Sequence, residues 1–239
     1  MQENVFIVGG SRGIGAAMVR LFTRSGAHVG FTYVRAHESA ATLAEETGAL
    51  AICADSSSMT DIERAVAIFH QKIGKADVIV NNAAVSKIEL FTDMTTETWE
   101  KLRAVNLDAP IYYTKLLLPD MIARKKGRII NISSMWGQVG ASCEVAYSTT
   151  KAALIGFTKA LAKEVGPSGI TVNAIAPGVI LTEMNASLDQ TVLDELCEET
   201  PLGRLGTPED VARVALFLAG EGGDFITGQV IAPNGGFVV

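Results

Sequence analysis

Val5-Phe6-Ile7-Val8-Gly9-Gly10-Ser11-Arg12-Gly13-Ile14-Gly15 decides the fold. Four apolar residues in succession read as a buried strand, and they run straight into a glycine turn spaced Gly-x-x-x-Gly-x-Gly. From Gly13 to Ser25 the pattern changes to helical spacing, with Ile14, Met18, Leu21 and Phe22 on one face. A helix N-terminus exposes unpaired N–H groups and a partial positive charge, which suits a pyrophosphate. Glycines let the backbone approach such a group closely. Gly9, Ser11, Arg12, Gly13, Ile14 and Gly15 are therefore the candidate phosphate cradle.

Apolar runs alternate with amphipathic stretches along the rest of the chain. Further strands are expected at 29–33, 49–54, 78–81, 128–133, 171–176 and 229–232. Helices are expected at 39–47, 62–73, 97–121, 147–164 and 208–218. Strand–helix alternation predicts an α/β fold: a parallel sheet with helices on both faces. Right-handed crossovers make it a doubly wound, Rossmann-type domain. No linker or repeat divides the chain, so 1–239 reads as a single domain.

Composition narrows the function. A hydrophobic content of 48% against 19% charged residues supports a sizeable core, and the net charge of -6 argues against a nucleic-acid footprint. The densest basic run, Arg124-Lys125-Lys126 with Arg128, reads as a solvated turn. Three widely spaced cysteines, Cys53, Cys143 and Cys197, point to a reduced compartment. His28, His37 and His70 lack ligand spacing, so no metal is expected. No apolar run reaches the ~18 residues of a membrane span, and the first strand begins too early for a signal peptide. The expected location is the cytoplasm.

The second strand bears on the cofactor. An acidic residue at its end would accept hydrogen bonds from a ribose 2′-hydroxyl, whereas arginine would favour a 2′-phosphate. Here that position is Tyr33, and Arg35 follows. With Arg12 in the glycine turn, two guanidiniums could reach a phosphate. The reading is NADPH.

Reducing a ketone also needs a proton donor. Tyr147-Ser148-Thr149-Thr150-Lys151 places a phenol and an ammonium one helical turn apart on one face. Free tyrosine has a pKa near ~10, and a nearby cation lowers it. Ser134 follows the strand ending at Ile132, at the sheet edge where such folds bind ligands, and its hydroxyl can stabilise charge developing on a carbonyl oxygen. Asn106 interrupts a long helix, where asparagine fits poorly.

In this combination the chain resembles the short-chain dehydrogenase/reductase family from its first strand to Gly235-Gly236. The resemblance implies that Asn106, Ser134, Tyr147 and Lys151 are catalytic, with Asn106 distorting its helix and holding a water in a proton relay. It implies that Asp55, with Ser56 beside it, meets the adenine, although Asp55 could equally cap a helix. Asn82 and Ala83 would lie beside the cofactor, Tyr147 and Lys151 at its ribose. Pro177, Gly178, Ile180 and Thr182 would line its carboxamide and pyrophosphate. Residues 183–200 would form a mobile lid, and a homotetramer would assemble through the two long helices and the last strand. Two departures stand out: Val8 replaces the family's threonine, removing a local hydrogen bond, and Ala84 replaces the glycine of Asn-Asn-Ala-Gly.

Within the family the chain is most similar to bacterial 3-oxoacyl-[acyl-carrier-protein] reductases, through Ala162-Lys163-Glu164, Pro201-Leu202-Gly203-Arg204 and Thr207-Pro208-Glu209-Asp210. That similarity implies a small-molecule or carrier-bound carbonyl substrate. An acidic carrier would dock on Arg103 or on Arg124, Lys125 and Lys126. The lid, with Met184-Asn185-Ala186 and Cys197-Glu198-Glu199, also resembles Firmicute relatives, one of which reduces a 5-aminopentanone modification on elongation factor P. A cationic substrate of that kind would need carboxylates such as Glu144, Glu183 or Glu195. A non-catalytic NADPH-binding regulator is the alternative from another class, and the intact Ser134, Tyr147 and Lys151 set opposes it.

Overall fold

The structure, a computed structural model, describes residues 3–183 and 189–239. Seven parallel strands form one sheet: β1 (Asn4–Val8), β2 (His28–Tyr33), β3 (Leu50–Cys53), β4 (Val78–Asn81), β5 (Gly127–Ile132), β6 (Ile170–Ile175) and β7 (Val230–Ile231). Their spatial order is β3-β2-β1-β4-β5-β6-β7. The order reverses between β1 and β4, where Val5 pairs with both Val29 and Val78. A crevice opens beyond the strand ends at such a reversal, and ligands bind there.

Each strand divides its side chains between two cores because successive residues point to opposite faces. In β1, Val5 and Ile7 pack with α1 (Gly13–Arg24) and α9 (Pro208–Ala219). Phe6 and Val8 pack on the other face with α3 (Met59–Lys72) and α5 (Ala109–Arg124). Helix α2 (His37–Thr47) joins the first core through Ala40 and Leu43, and α7 (Val145–Val165) joins the second through Ala162 and Val165.

The helix expected at 97–121 is divided. Helix α4 (Thr96–Arg103) leads into a π-turn over Ala104–Asp108 and then into α5. Pro110 contributes to the break, because it has no N–H to continue an α-helical ladder. Two helices were not anticipated: α6 (Trp136–Val139) and α8 (Gln190–Glu199). The second occupies most of the expected lid, while Met184, Asn185 and Ala186 lie outside the described residues.

Helix α9 starts with a capping box, the Thr207 hydroxyl accepting from the Asp210 N–H and the Asp210 carboxylate accepting from the Thr207 N–H. Strand β7 closes the far edge, where the Ala176 N–H donates to the Ile231 carbonyl and the Gly178 N–H to that of Pro233. No helix among the described residues is long and apolar enough to cross a membrane.

Candidate active site

A cleft of about 860 Å³ opens at the C-terminal ends of the strands. The glycine turn forms one wall through Gly9, Ser11, Arg12, Gly13 and Ile14. Gly9 has φ +80°, and a Cβ on it would lie 2.7 Å from the Ala83 Cα. A Cβ on Gly15 would lie 2.0 Å from the Gly9 carbonyl oxygen, so this residue permits helix α1 to close against the turn rather than lining the cleft. The backbone N–H groups at this helix start, with no side chain in front of them, fit a dinucleotide pyrophosphate.

The cofactor-side expectations largely converge. Tyr33, Arg35, Asp55 and Ser56 line one end of the cleft, Asn82 and Ala83 the middle, and Pro177, Gly178, Ile180 and Thr182 the opposite wall. Arg12 and Arg35 are exposed and make no ion pair among the described residues. Asp55 is not the cap of α3. That role falls to Ser58, whose hydroxyl accepts from the Asp61 N–H, while Asp55 accepts from the N–H and hydroxyl of Ser57 at 2.8 and 2.7 Å. Ala84 also lines the cleft and does not require positive φ, so its methyl group is accommodated without backbone strain.

Ser134, Tyr147 and Lys151 meet in the centre. Ser134 lies just past the end of β5, and its hydroxyl also accepts from the Trp136 N–H at 3.2 Å. Tyr147 sits in the first turn of α7, its ring partly exposed to the cleft and its hydroxyl deep among protein atoms beside Ser134. Lys151 follows one turn later, 2% exposed, and its ammonium donates to the Ile132 carbonyl at 2.8 Å. Ser133 anchors the same stretch by donating to the Lys151 carbonyl at 2.9 Å.

Burial dominates the electrostatics. Desolvation pushes the Tyr147 phenol up to about 12, the Glu144 charge adding to the rise and the Ser134 hydroxyl opposing it. Desolvation pulls Lys151 down to about 7. The expected lowering of the tyrosine by its lysine is not found in the protein by itself, where the Ser134 hydroxyl is what opposes the rise. Both groups are driven toward their neutral forms because low-dielectric surroundings disfavour either charge.

Asn106 stands behind this centre, fully buried in the π-turn. Its Oδ1 accepts from the Val85 N–H at 2.9 Å, and its Nδ2 donates to the Val85 carbonyl at 2.9 Å and to the Thr150 hydroxyl at 3.2 Å. Its direct link to α7 is therefore to Thr150, next to Lys151. Asn81 ties β4 to its neighbours, donating to Asn131 Oδ1 at 2.8 Å and to the Thr114 hydroxyl at 3.2 Å.

The basic groups considered for carrier docking are placed differently. Arg124, Lys125 and Lys126 precede β5, at the end of the sheet opposite the cleft. Arg124 pairs with Asp77 at 2.6 Å and Lys126 with Glu3 at 3.5 Å, and Arg103 pairs with Asp108 at 3.1 Å. Lys101, which sequence reasoning passed over, lines the cleft. So do Val85 and Ile88 from the irregular segment after β4, Trp136 at the start of α6 and Leu196 on α8. Glu144 and Glu183 line it as well, whereas Glu195 does not. No group of three or more His, Cys, Asp or Glu among the described residues could hold a metal ion.

Comparison with known proteins agrees with this geometry. A family model described as "Enoyl-(Acyl carrier protein) reductase" matches residues 8–238. The chain is 39% identical to the 3-oxoacyl-[acyl-carrier-protein] reductase of Chlamydia trachomatis over 241 residues, covering 99% of this chain and 97% of that protein. It is 40% identical to an acetoacetyl-CoA reductase of Shinella zoogloeoides over 237 residues, covering 99% and 98%. Among solved structures, a blue fluorescent protein from a metagenomic library, crystallised with NADPH, superposes with a TM-score of 0.92 at 35% identity, covering 99% of this chain and 98% of that one. The glycine turn at the sheet's switch point, the serine–tyrosine–lysine centre beside it and this full-length similarity establish that the chain belongs to the short-chain dehydrogenase/reductase family and is an oxidoreductase with a nicotinamide cofactor.

Proposed function

We propose that the protein is an NADPH-dependent reductase of a 3-oxoacyl thioester, giving the 3-hydroxy product. The observation that carries this reading is the convergence of Ser134, Tyr147 and Lys151 in the same cleft as the glycine turn. The bound nicotinamide supplies the hydride. Tyr147 gives its hydroxyl proton to the carbonyl oxygen, and Ser134 donates a hydrogen bond to that oxygen as charge develops. Lys151 has three donors when charged, only one of which bonds Ile132, so others remain for the cofactor ribose and the Tyr147 hydroxyl. Asn106 positions the helix that carries both through Thr150.

NADPH is favoured by the unpaired Arg12 and Arg35 and by Tyr33 where an acidic residue would repel a 2′-phosphate. The thioester is favoured by the names of the relatives and by the apolar wall of Val85, Ile88 and Leu196, which suits an acyl chain. In this reading α8, whose Leu196 lines the cleft, closes over the substrate, and the enzyme works as a cytoplasmic homotetramer. The assay is oxidation of NADPH, with NADH in parallel, on acetoacetyl-CoA. Turnover that prefers NADPH and vanishes in Tyr147→Phe supports the reading. Tight NADPH binding without turnover removes the thioester.

A second reading rests on Glu144. Its carboxylate lines the cleft one helical turn before Tyr147, has no hydrogen-bond or ion-pair partner among the described residues, and is pushed up by burial. Such a group suits a ketone bearing an ammonium. Faster turnover of a small amino-ketone than of acetoacetyl-CoA, lost in Glu144→Gln, would select this substrate instead.

A further inference from the structure

We infer that Thr32 is a positioning residue of the cofactor site, holding the glycine turn from the neighbouring strand. The inference rests on the nicotinamide site lying at that turn. Val8, at the end of β1, carries no hydroxyl, so the turn receives no side-chain hydrogen bond from its own strand. Thr32 on β2 supplies one: the Gly9 N–H donates to the Thr32 hydroxyl at 2.9 Å. The next N–H, of Gly10, donates to the Thr32 backbone carbonyl, also at 2.9 Å. One residue thus receives two consecutive N–H groups of the turn.

The opposite flank is held as well. Asn82 Nδ2 donates to the Gly9 carbonyl at 2.6 Å, and the N–H groups of Asn82 and Ala83 donate to the Val8 carbonyl at 3.2 and 2.7 Å. The Gly9 residue is therefore gripped at its N–H from β2 and at its carbonyl from the segment after β4. That double grip matters because glycine at φ +80° has many other conformations open to it.

The direction of the Thr32 side chain follows from strand alternation. Val29 and Phe31 face the core of α1 and α9, so Thr32 faces the opposite layer. There it is 1% exposed, and its hydroxyl lies beside that of Tyr113, which also has the Ser56 hydroxyl near it. Tyr113 is fully buried on α5, with no partner in good hydrogen-bonding geometry, and burial pushes its phenol up to about 12. The threonine proton therefore faces a polar group that needs one, leaving its lone pair for Gly9. A valine here would match the shape and the strand preference but would leave the Gly9 N–H without an acceptor.

The test is cofactor binding and steady-state kinetics of Thr32→Val, Thr32→Ala and Thr32→Ser against the wild type. NADPH affinity is read by nucleotide fluorescence. The expected result is a Kd for NADPH raised about tenfold in Thr32→Val and Thr32→Ala, the size of one lost hydrogen bond to a buried donor. The kcat at saturating NADPH should stay within about twofold, and Thr32→Ser should bind as the wild type does. The alanine variant gives the same reading should the valine variant fold poorly. A wild type that binds NADPH tightly while Thr32→Val and Thr32→Ala bind it equally well overturns the inference and leaves the cofactor site standing. A loss of kcat with unchanged Kd also overturns it. Failure of the wild type to bind NADPH removes the cofactor reading and this inference together.

Discussion

Lys151 lies 5.6 Å from the centre of the Tyr147 ring, with its ammonium bonded to the Ile132 carbonyl at 2.8 Å rather than to the phenol. The two side chains are neighbours without a direct hydrogen bond between them in the structure. Their burial leaves Tyr147 at about 12 and Lys151 at about 7, so the polar groups that arrive in the cleft determine which of them is charged during turnover.

Replacing Tyr147 by phenylalanine removes the proposed proton donor and little else. We expect kcat to fall by about 10²- to 10⁴-fold, the usual contribution of a positioned acid. NADPH affinity should fall by no more than about tenfold, the size of one hydrogen bond from the phenol to the ribose. Stopped-flow turnover beside a fluorescence titration separates the two effects.

Lys151 makes a prediction about stability and pH. Its folded pKa, about 7, is below its unfolded value of 10.5. Between these values the unfolded chain binds more protons, so the contribution of this group to stability rises with pH. Below pH 7 both states are protonated and the burial penalty is complete. Melting temperatures of the wild type minus those of Lys151→Met should therefore increase from pH 7 to pH 10. A flat difference would show that the lysine is not desolvated as described.

Asn106 joins the segment after β4 to α7, and truncation strands several buried partners at once. Asn106→Ala leaves the Val85 N–H and carbonyl and the Thr150 hydroxyl without it. A cost of about 2–4 kcal/mol is expected from lost and unsatisfied hydrogen bonds. Urea denaturation measures it, and kcat should fall as well because Thr150 is adjacent to Lys151.

Cofactor choice should respond to charge at the end of β2. Arg35→Ala is expected to raise the KM for NADPH about tenfold and leave that for NADH nearly unchanged, since only one of them carries the 2′-phosphate. Tyr33→Asp should move preference further toward NADH. Initial rates with both nucleotides decide this, and equal changes for the two would exclude a phosphate contact.

The strands and the glycine turn were legible because apolar runs, alternation and glycine spacing are local signals. Tyr147, Lys151 and Ser134 were legible for a similar reason: helix periodicity and a strand end place them with few assumptions. The π-turn was not, since Asn106 and Pro110 mark a disturbance without stating its form. Arg124, Lys125 and Lys126 read as a solvated turn, but whether they could also reach the cleft mouth was not legible, because charge in a sequence carries no direction. Only the polarity of β5 shows that they lie at the far end of the sheet. Lys101 and Leu196 reach the cleft through tertiary packing, to which no short-range pattern points. The hydrogen bond from the Gly9 N–H to the Thr32 hydroxyl joins two strands and is invisible in the sequence of either.

The way β7 braces the Pro177–Gly178 turn has a consequence for biosynthesis. The Gly178 N–H is held by Pro233, and Ala176 by Ile231. The wall around Gly9 needs α9 packed behind α1, and the facing wall cannot lock until the segment around Pro233 has joined the sheet. Both walls of the nucleotide cleft therefore wait on segments made long after the glycine turn itself, and a chain cut short before α9 should not bind cofactor tightly.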